Sequence, residues 1–242
     1  MWEITIVGQI NDYSRFLLFE KSLKSNYDNS VIVAISLTNE TVKLSIAVKT
    51  KRLIHTIKRL ILELIIKICK EEYFVENLQI ETKDLDMKYF IILTTVMSNL
   101  EDEIDYAMVK FKFSKVIHIR PLIRFRLNKL YYLWEKFAVY FNYNLSYSVS
   151  EEIYLNFLKF LANNSRNGKD IIYLEEDKGK VFLKDKRKNI LVTIPKNDEI
   201  SVVVNLIVFA PSRLIINCYA ALSEKIAELI KYLFDDRVSI LI

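Results

Sequence analysis

The sequence predicts a mixed α+β protein: an N-terminal mixed sheet with helices, a central run of long helices, and a C-terminal ββαβαβ unit. Three observations carry this reading. Short β-branched runs of period two stand at both ends of the chain, and stretches with apolar residues at helical spacing separate them. Only three Gly and three Pro interrupt 242 residues, of which 52% are apolar and 27% charged, so ordered elements dominate over loops. Such a chain buries a sizeable core. Its changes of texture divide it into an N-terminal αβ unit (1–113), a central helical segment (114–164) and a C-terminal αβ unit (165–242), which can also form one continuous domain.

The elements follow in order. WEITIV alternates and reads as an opening strand; DYSRFLLFEKSLKS is a helix with Asp12 placed to cap it. VIVAISL and TVKLSIAVK are two strands joined by TNE. From Thr50 to Lys70, Leu53, Ile54, Ile57, Leu60, Ile61, Leu64, Ile65 and Ile68 keep helical spacing with Lys51, Arg52, Lys58 and Arg59 opposite, which is an amphipathic helix. Asp84 to Asn99 reads as helix, and YAMVKFKFSK as either a strand or the frayed end of that region. A long helix is predicted from about Pro121 to Tyr143, because Pro suits a first turn. SEEIYLNFLKFLANN follows as a helix capped by Ser150 and stopping near Asn163 or Asn164.

After SRNGKD the pattern changes. IIYLEEDKGKVFLKD is a hairpin about Asp-Lys-Gly, with Gly179 supplying a positive φ. An apolar helix capped by Asn197 or Asp198, the buried strand RLIIN, the helix SEKIAELIKYLF capped by Ser223 and the strand RVSILI complete a βαβ crossover, so the last two strands run parallel. The apolar run from Ile200 to Leu222 holds Pro211 and Arg213 near its middle, and a central Arg costs roughly 2.5–3.5 kcal/mol on membrane insertion. It reads as a buried helix, a turn and a buried strand. Two distant cysteines, Cys69 and Cys218, behind an opening MWEITIVG that lacks a charged leader, predict a cytoplasmic protein in a reducing environment.

Signatures of catalysis are sparse. With Gly8, Gly168 and Gly179 as the glycines, a dinucleotide fold or phosphate loop is close to excluded. His55 and His118 have no Cys or carboxylate at a ligand spacing, and neither cysteine has the neighbours of an activated thiolate. The acid clusters at Glu101, Asp102, Glu103 and Asp105, at Glu175 to Asp177, and at Asp235 and Asp236 read as solvated caps. No catalytic residue, metal or cofactor is predicted.

The charge is more informative. The chain carries a net +5, yet between Tyr106 and Ser150 eight Lys and Arg face one acid, Glu135, for a local +7. All the positive excess lies there, which points to an anionic partner. On a helical grid of 100° per residue, Ile123, Leu127, Leu130, Trp134, Phe137, Phe141 and Leu145 share a core arc. Phe125, Lys129, Tyr132, Lys136, Tyr140 and Tyr143 form a second stripe, both aromatic and basic. Arg120 and Arg124 lie on a third side, with Arg126 at the border. The second stripe either packs against the 150–163 helix or the N-terminal sheet, lysines lying along Tyr rings, or it meets an anionic ligand, cations taking anions and rings stacking, for which nucleic acid, an acidic protein and an anionic lipid surface all fit.

The ordered set IHIRPLIRFRL, the helix after it, IIYLEEDKGKVFLKD, VVNLIVFAPSRLIIN and LFDDRVSI resembles the YtxC-like family of sporulation proteins from Ile117 onward. VKLSIAVKTKRLIHTIKRLILELIIKICKEEY is similar, more weakly, to that family's strand and long helix. Pro121 stands where the family pattern has Gly, and the closing residues lack the cysteines of some members. The resemblance implies a cytoplasmic sporulation protein of endospore formers, and it carries no catalytic residue to this chain. The expectation is therefore a non-enzymatic factor that binds a partner, an unknown protein or nucleic acid with an acidic surface, through Arg120, Arg124, Arg126, Lys129, Tyr132, Lys136 and Tyr140. A nucleic-acid module using the same face is the alternative, and so is a hydrolase in which Glu101, Glu175 and Asp235 converge.

Overall fold

The structure, a computed structural model, describes residues 1–27, 29–80, 85–145, 151–164, 171–217 and 222–240. The expected cap Ser150 and the second cysteine, Cys218, lie outside them. In chain order the elements are β1 (Trp2–Gln9), α1 (Tyr13–Asn26), β2 (Val31–Leu37), β3 (Thr41–Val48), α2 (Ile54–Asn77), α3 (Leu85–Met97), α4 (Leu100–Lys110), β4 (Val116–His118), the single turn α5 (Ile119–Pro121), α6 (Asn128–Leu145), α7 (Glu151–Asn164), β5 (Ile171–Asp177), β6 (Lys180–Lys184), β7 (Ile190–Pro195), α8 (Glu199–Phe209), β8 (Arg213–Ile216), α9 (Glu224–Phe234) and β9 (Val238–Ile240). They form two compact units, 1–77 with 100–139, and 78–99 with 140–242.

The first unit is built on a sheet of order β2-β3-β1-β4, with β1 antiparallel to β3 and parallel to β4. Register brings Ile4 opposite Ile46 and Ile6 between Leu44 and Ile117, all buried. Strict alternation places these residues on one face, and that face joins Phe16 and Leu23 of α1 and Ile57, Ile61 and Ile65 of α2 in the core. Each such side chain contributes roughly 1.5–3 kcal/mol by leaving water. The predicted amphipathic helix exists, preceded by a 3-10 turn at Lys51–Leu53. It runs on to Asn77 because Tyr73 and Phe74 extend its buried stripe.

The centre of the chain departs from the expected elements in two places. The segment of ambiguous type remains helical to Lys110 and is then irregular up to β4. The long helix from Pro121 is interrupted. Three residues, Val116–His118, first pair alongside β1, and α5 then leads into a π-helical segment, Leu122–Arg126. Leu127 closes that segment, its N–H donating to the Leu122 carbonyl at 3.1 Å, and α6 starts only at Asn128.

The second unit holds a sheet of order β7-β6-β5-β8-β9. β5, β6 and β7 are an antiparallel meander, whereas β5, β8 and β9 run parallel, as the crossover rule requires. At the first hairpin both Lys178 (φ 51°) and Gly179 (φ 73°) are left-handed, the geometry of a tight primed turn. The Asp198 carboxylate caps α8 by accepting from Ser201 N–H at 3.2 Å. Ser223 precedes α9 without a side-chain cap of its own; its N–H and hydroxyl both donate to Glu199, each at 2.7 Å. One strand of this unit, β7, is additional to the expected ββαβαβ order. Among the described residues no helix is long and apolar enough to cross a membrane.

Candidate functional site

The orientation of α6 is set by one buried polar contact. Trp134 points into the first unit, and its indole N–H donates to Glu103 Oε1 of α4 at 2.9 Å. Lys70 Nζ of α2 lies 2.9 Å from that oxygen and 3.0 Å from Glu103 Oε2. All three side chains are buried. Burial holds the Lys70 ammonium below the usual lysine range, and Glu103 opposes that shift. Three helices are therefore locked at one point, because none of these groups finds water to replace a lost partner. Glu103 is accordingly not the solvated cap that its acidic cluster suggests.

With Trp134 inward, Leu127, Leu130 and Phe141 of the predicted core arc are buried as well, Phe137 of that arc is half-buried, and Ala138 joins the buried set. The opposite side of α6 is open. Lys129 and Lys136 are exposed, Tyr132 is 51% exposed, and Leu133 and Val139 are 46% and 64% exposed. The stripe is thus surface. Its lysines rest on rings: Lys136 Nζ is 4.5 Å from the Tyr132 ring centre and Lys129 Nζ is 5.3 Å from that of Tyr106. These contacts order the cations without neutralising them. Tyr140 is also exposed, on the last turns of α6, and is counted with the second unit.

The π-helical segment adds to this face. Its wider turn lets Leu122, Ile123 and Leu127 all remain buried, and the residues between them, Arg124, Phe125 and Arg126, are left outside. Phe125 is 73% exposed. A large ring at that exposure flanked by two arginines is not a core element, and Tyr, Phe and Arg are the side chains that recur at protein interfaces.

Arg120 has a different environment. Its guanidinium grips Asp12 with two hydrogen bonds, 2.8 Å to Oδ2 and 3.2 Å to Oδ1, and also meets Glu72. Burial lowers the pKa of this guanidinium, and the bonds to Asp12 and Glu72 more than reverse that, so it stays charged. Asp12 in turn is fully buried and accepts from Gln9 N–H at 2.8 Å. Its side chain does not cap α1, as its position suggests; it joins β1, α1, α2 and α5 through Arg120. The approach is close enough that a Cβ on Gly8 would lie 2.5 Å from Asp12 Oδ2. The nearby Cys69 thiol is pushed up to about 12, by burial first and then by Glu72, so it carries no thiolate.

Glu101, Glu175 and Asp235, the acids expected to converge in a hydrolase, each have a local cation. Arg59 holds Glu101 and Asp105, Lys159 reaches Asp235 at 3.5 Å, and Glu175 receives Lys184 at 2.6 Å and Lys188 at 2.8 Å. Hydrogen bonds from these two lysines hold Glu175 down to about 2. Ion-paired carboxylates of this kind are poor general bases. Among the described residues no group of three His, Cys, Asp or Glu could hold a metal ion. No protein family, curated protein or solved structure matches the chain.

Proposed function

We propose that this protein is a non-enzymatic binding factor, cytoplasmic and acting in sporulation, which docks an acidic surface of a protein partner on the outer face of α6 and the π-helical segment before it. The observation that carries the reading is the exposure of Phe125 and Tyr132 among Arg124, Arg126, Lys129 and Lys136. Cations steer an acidic partner into contact, and rings desolvated at the centre of the patch supply most of the affinity. Leu133 and Val139 favour a protein over a nucleic acid, since exposed aliphatic groups on the same face find apolar partners in a protein surface and none among phosphates. The sporulation assignment rests on the resemblance of the ordered motifs from Ile117 onward to YtxC-like proteins.

The test compares wild type with Lys129→Glu/Lys136→Glu in affinity capture from sporulating cells, in mobility-shift assays with DNA and RNA, and in spore yield. A protein captured by wild type, lost with the double variant and bound again by the two purified proteins supports the reading, together with a lower spore yield. Binding of DNA or RNA that falls steeply with salt and is lost in the variant replaces it with the nucleic-acid alternative. Unchanged interactions and spore yield refute both.

A further inference from the structure

A second basic aromatic feature lies in the first unit, at the start of α2. A cleft of about 610 Å³ opens between the first turns of α2 and the residues that follow α4. Lys51, His55 and Lys58 line it from one side, and Phe111, Lys112 and Phe113 from the other. Its lining contains no carboxylate. Among the described residues none of Lys51, His55, Lys58 and Lys112 has an ion-pair or side-chain hydrogen-bond partner. The neighbouring acids Glu101 and Asp105 are turned onto Arg59.

The placement of Lys58 is specific. Its ammonium sits 5.1 Å from the Phe113 ring centre and 5.6 Å from that of Trp2. Trp2 and Phe113 contact each other edge to face at 6.2 Å, and Phe111 meets Phe113 at 5.0 Å. An aromatic cluster thus holds one cation at the wall of a cleft whose other polar groups are Lys51, His55 and Lys112. Rings order an ammonium without cancelling its charge. Charges of one sign lining a concave surface focus their field into it and raise the local concentration of an opposite ion.

The cleft is too large for a bare phosphate and falls in the range of small-molecule sites, roughly 300–1,000 Å³. Two surfaces inside it call for two parts of one ligand: lysines for phosphate oxygens, and phenylalanine rings for a planar group. We propose that this cleft binds a nucleoside phosphate, its phosphates on Lys51, Lys58 and Lys112 and its base against Phe111 and Phe113. The ligand is either a free nucleotide or one nucleotide of a single strand. This site is separate from the α6 face and does not depend on it.

Titration calorimetry of the full chain with ATP, adenosine, inorganic phosphate and a short single-stranded oligonucleotide tests the proposal, alongside the Lys51→Glu/Lys112→Glu variant. Both of these lysines are exposed, and melting curves show whether the variant remains folded. ATP is expected to bind at least tenfold more tightly than adenosine or phosphate, and the variant to lose at least tenfold in ATP affinity with its melting temperature unchanged. Lys129→Glu/Lys136→Glu leaves ATP binding intact, so failure of the α6 reading and failure of this one are distinguishable. An oligonucleotide that binds tenfold more tightly than ATP, and is weakened by the same lysine changes, assigns the ligand to a strand; the reverse order assigns it to a free nucleotide. The proposal is overturned if neither binds at millimolar concentration, if phosphate alone binds as tightly as ATP, or if Phe111→Leu, which keeps the lysines, leaves the preference for ATP over phosphate unchanged.

Discussion

Replacing Glu103 by Gln removes a negative charge from the centre of the first unit while preserving shape and the acceptor for Trp134. The Lys70 ammonium then stays buried without the carboxylate that lies 2.9 and 3.0 Å away. Breaking a buried pair from one side costs roughly 3–5 kcal/mol, far more than the pair contributes over an apolar substitute. The cost has a distinctive pH dependence. Lys70 is already held below the usual lysine range by burial, and loss of Glu103 lowers it further. In the variant, the unfolded chain keeps a proton on Lys70 up to about pH 10.4, whereas the folded chain releases it earlier, so stability rises with pH across that interval. Urea denaturation followed by tryptophan fluorescence should therefore give a loss of about 3–5 kcal/mol at pH 7 that shrinks by pH 9.5. Lys70→Met added to Glu103→Gln removes the stranded charge and should recover about half of the loss or more. A loss below about 1 kcal/mol at pH 7, or one that is indifferent to pH and to the second substitution, refutes the reasoning that this pair locks α6 in place.

Other outcomes follow from the same structure. Arg120→Met strands the buried Asp12 carboxylate and should cost about 3–5 kcal/mol, lowering the melting temperature by roughly 10 °C in calorimetry. Gly8→Ala drives a methyl group into Asp12 and should destabilise by about 1–3 kcal/mol in the same assay, although this backbone position is not a left-handed one. Glu175, held near 2 by Lys184 and Lys188, contributes stability above the unfolded carboxylate value near 4.3 and loses it as pH falls toward 2. After allowance for screening, Glu175→Gln should cost about 1 kcal/mol at pH 7 and little at pH 2, as measured by urea titration at both pH values. Phe125→Ser, at an exposed ring, should change stability by less than about 0.5 kcal/mol by urea denaturation while weakening partner binding.

Much of the fold was legible because local periodicity and burial agree. α2, the β5–β6 hairpin and the parallel β8 and β9 each carry a strong short-range signal, and the structure forms all of them. What escaped is non-local or short. β4 has three residues and exists only because β1 offers it an edge, and β7 is an outer strand whose Ile190 is exposed, so its alternation is weak. The break before α6 arises from packing, since Leu122, Ile123 and Leu127 all enter the core and a regular helix starting at Pro121 does not require it. Asp12 resembles a cap in sequence, and its partner Arg120 is 108 positions away; Glu103 resembles a surface acid, and Lys70 and Trp134 lie 33 and 31 positions from it. The cleft beside α2 did leave a trace, because Lys51, His55 and Lys58 recur at helical spacing, but Lys112 and the phenylalanine wall come from a separate helix end.

On the reading proposed above, the outer face of α6 is a docking surface for a protein. A photo-crosslinking amino acid at position 132, introduced in producing cells, tests it most directly, with the same group at exposed Val109 of α4 as the reference site. A discrete cross-linked protein is expected from position 132, absent from position 109 and lost when Lys129→Glu and Lys136→Glu are added. No cross-link, one of equal strength from both positions, or one to nucleic acid alone contradicts it.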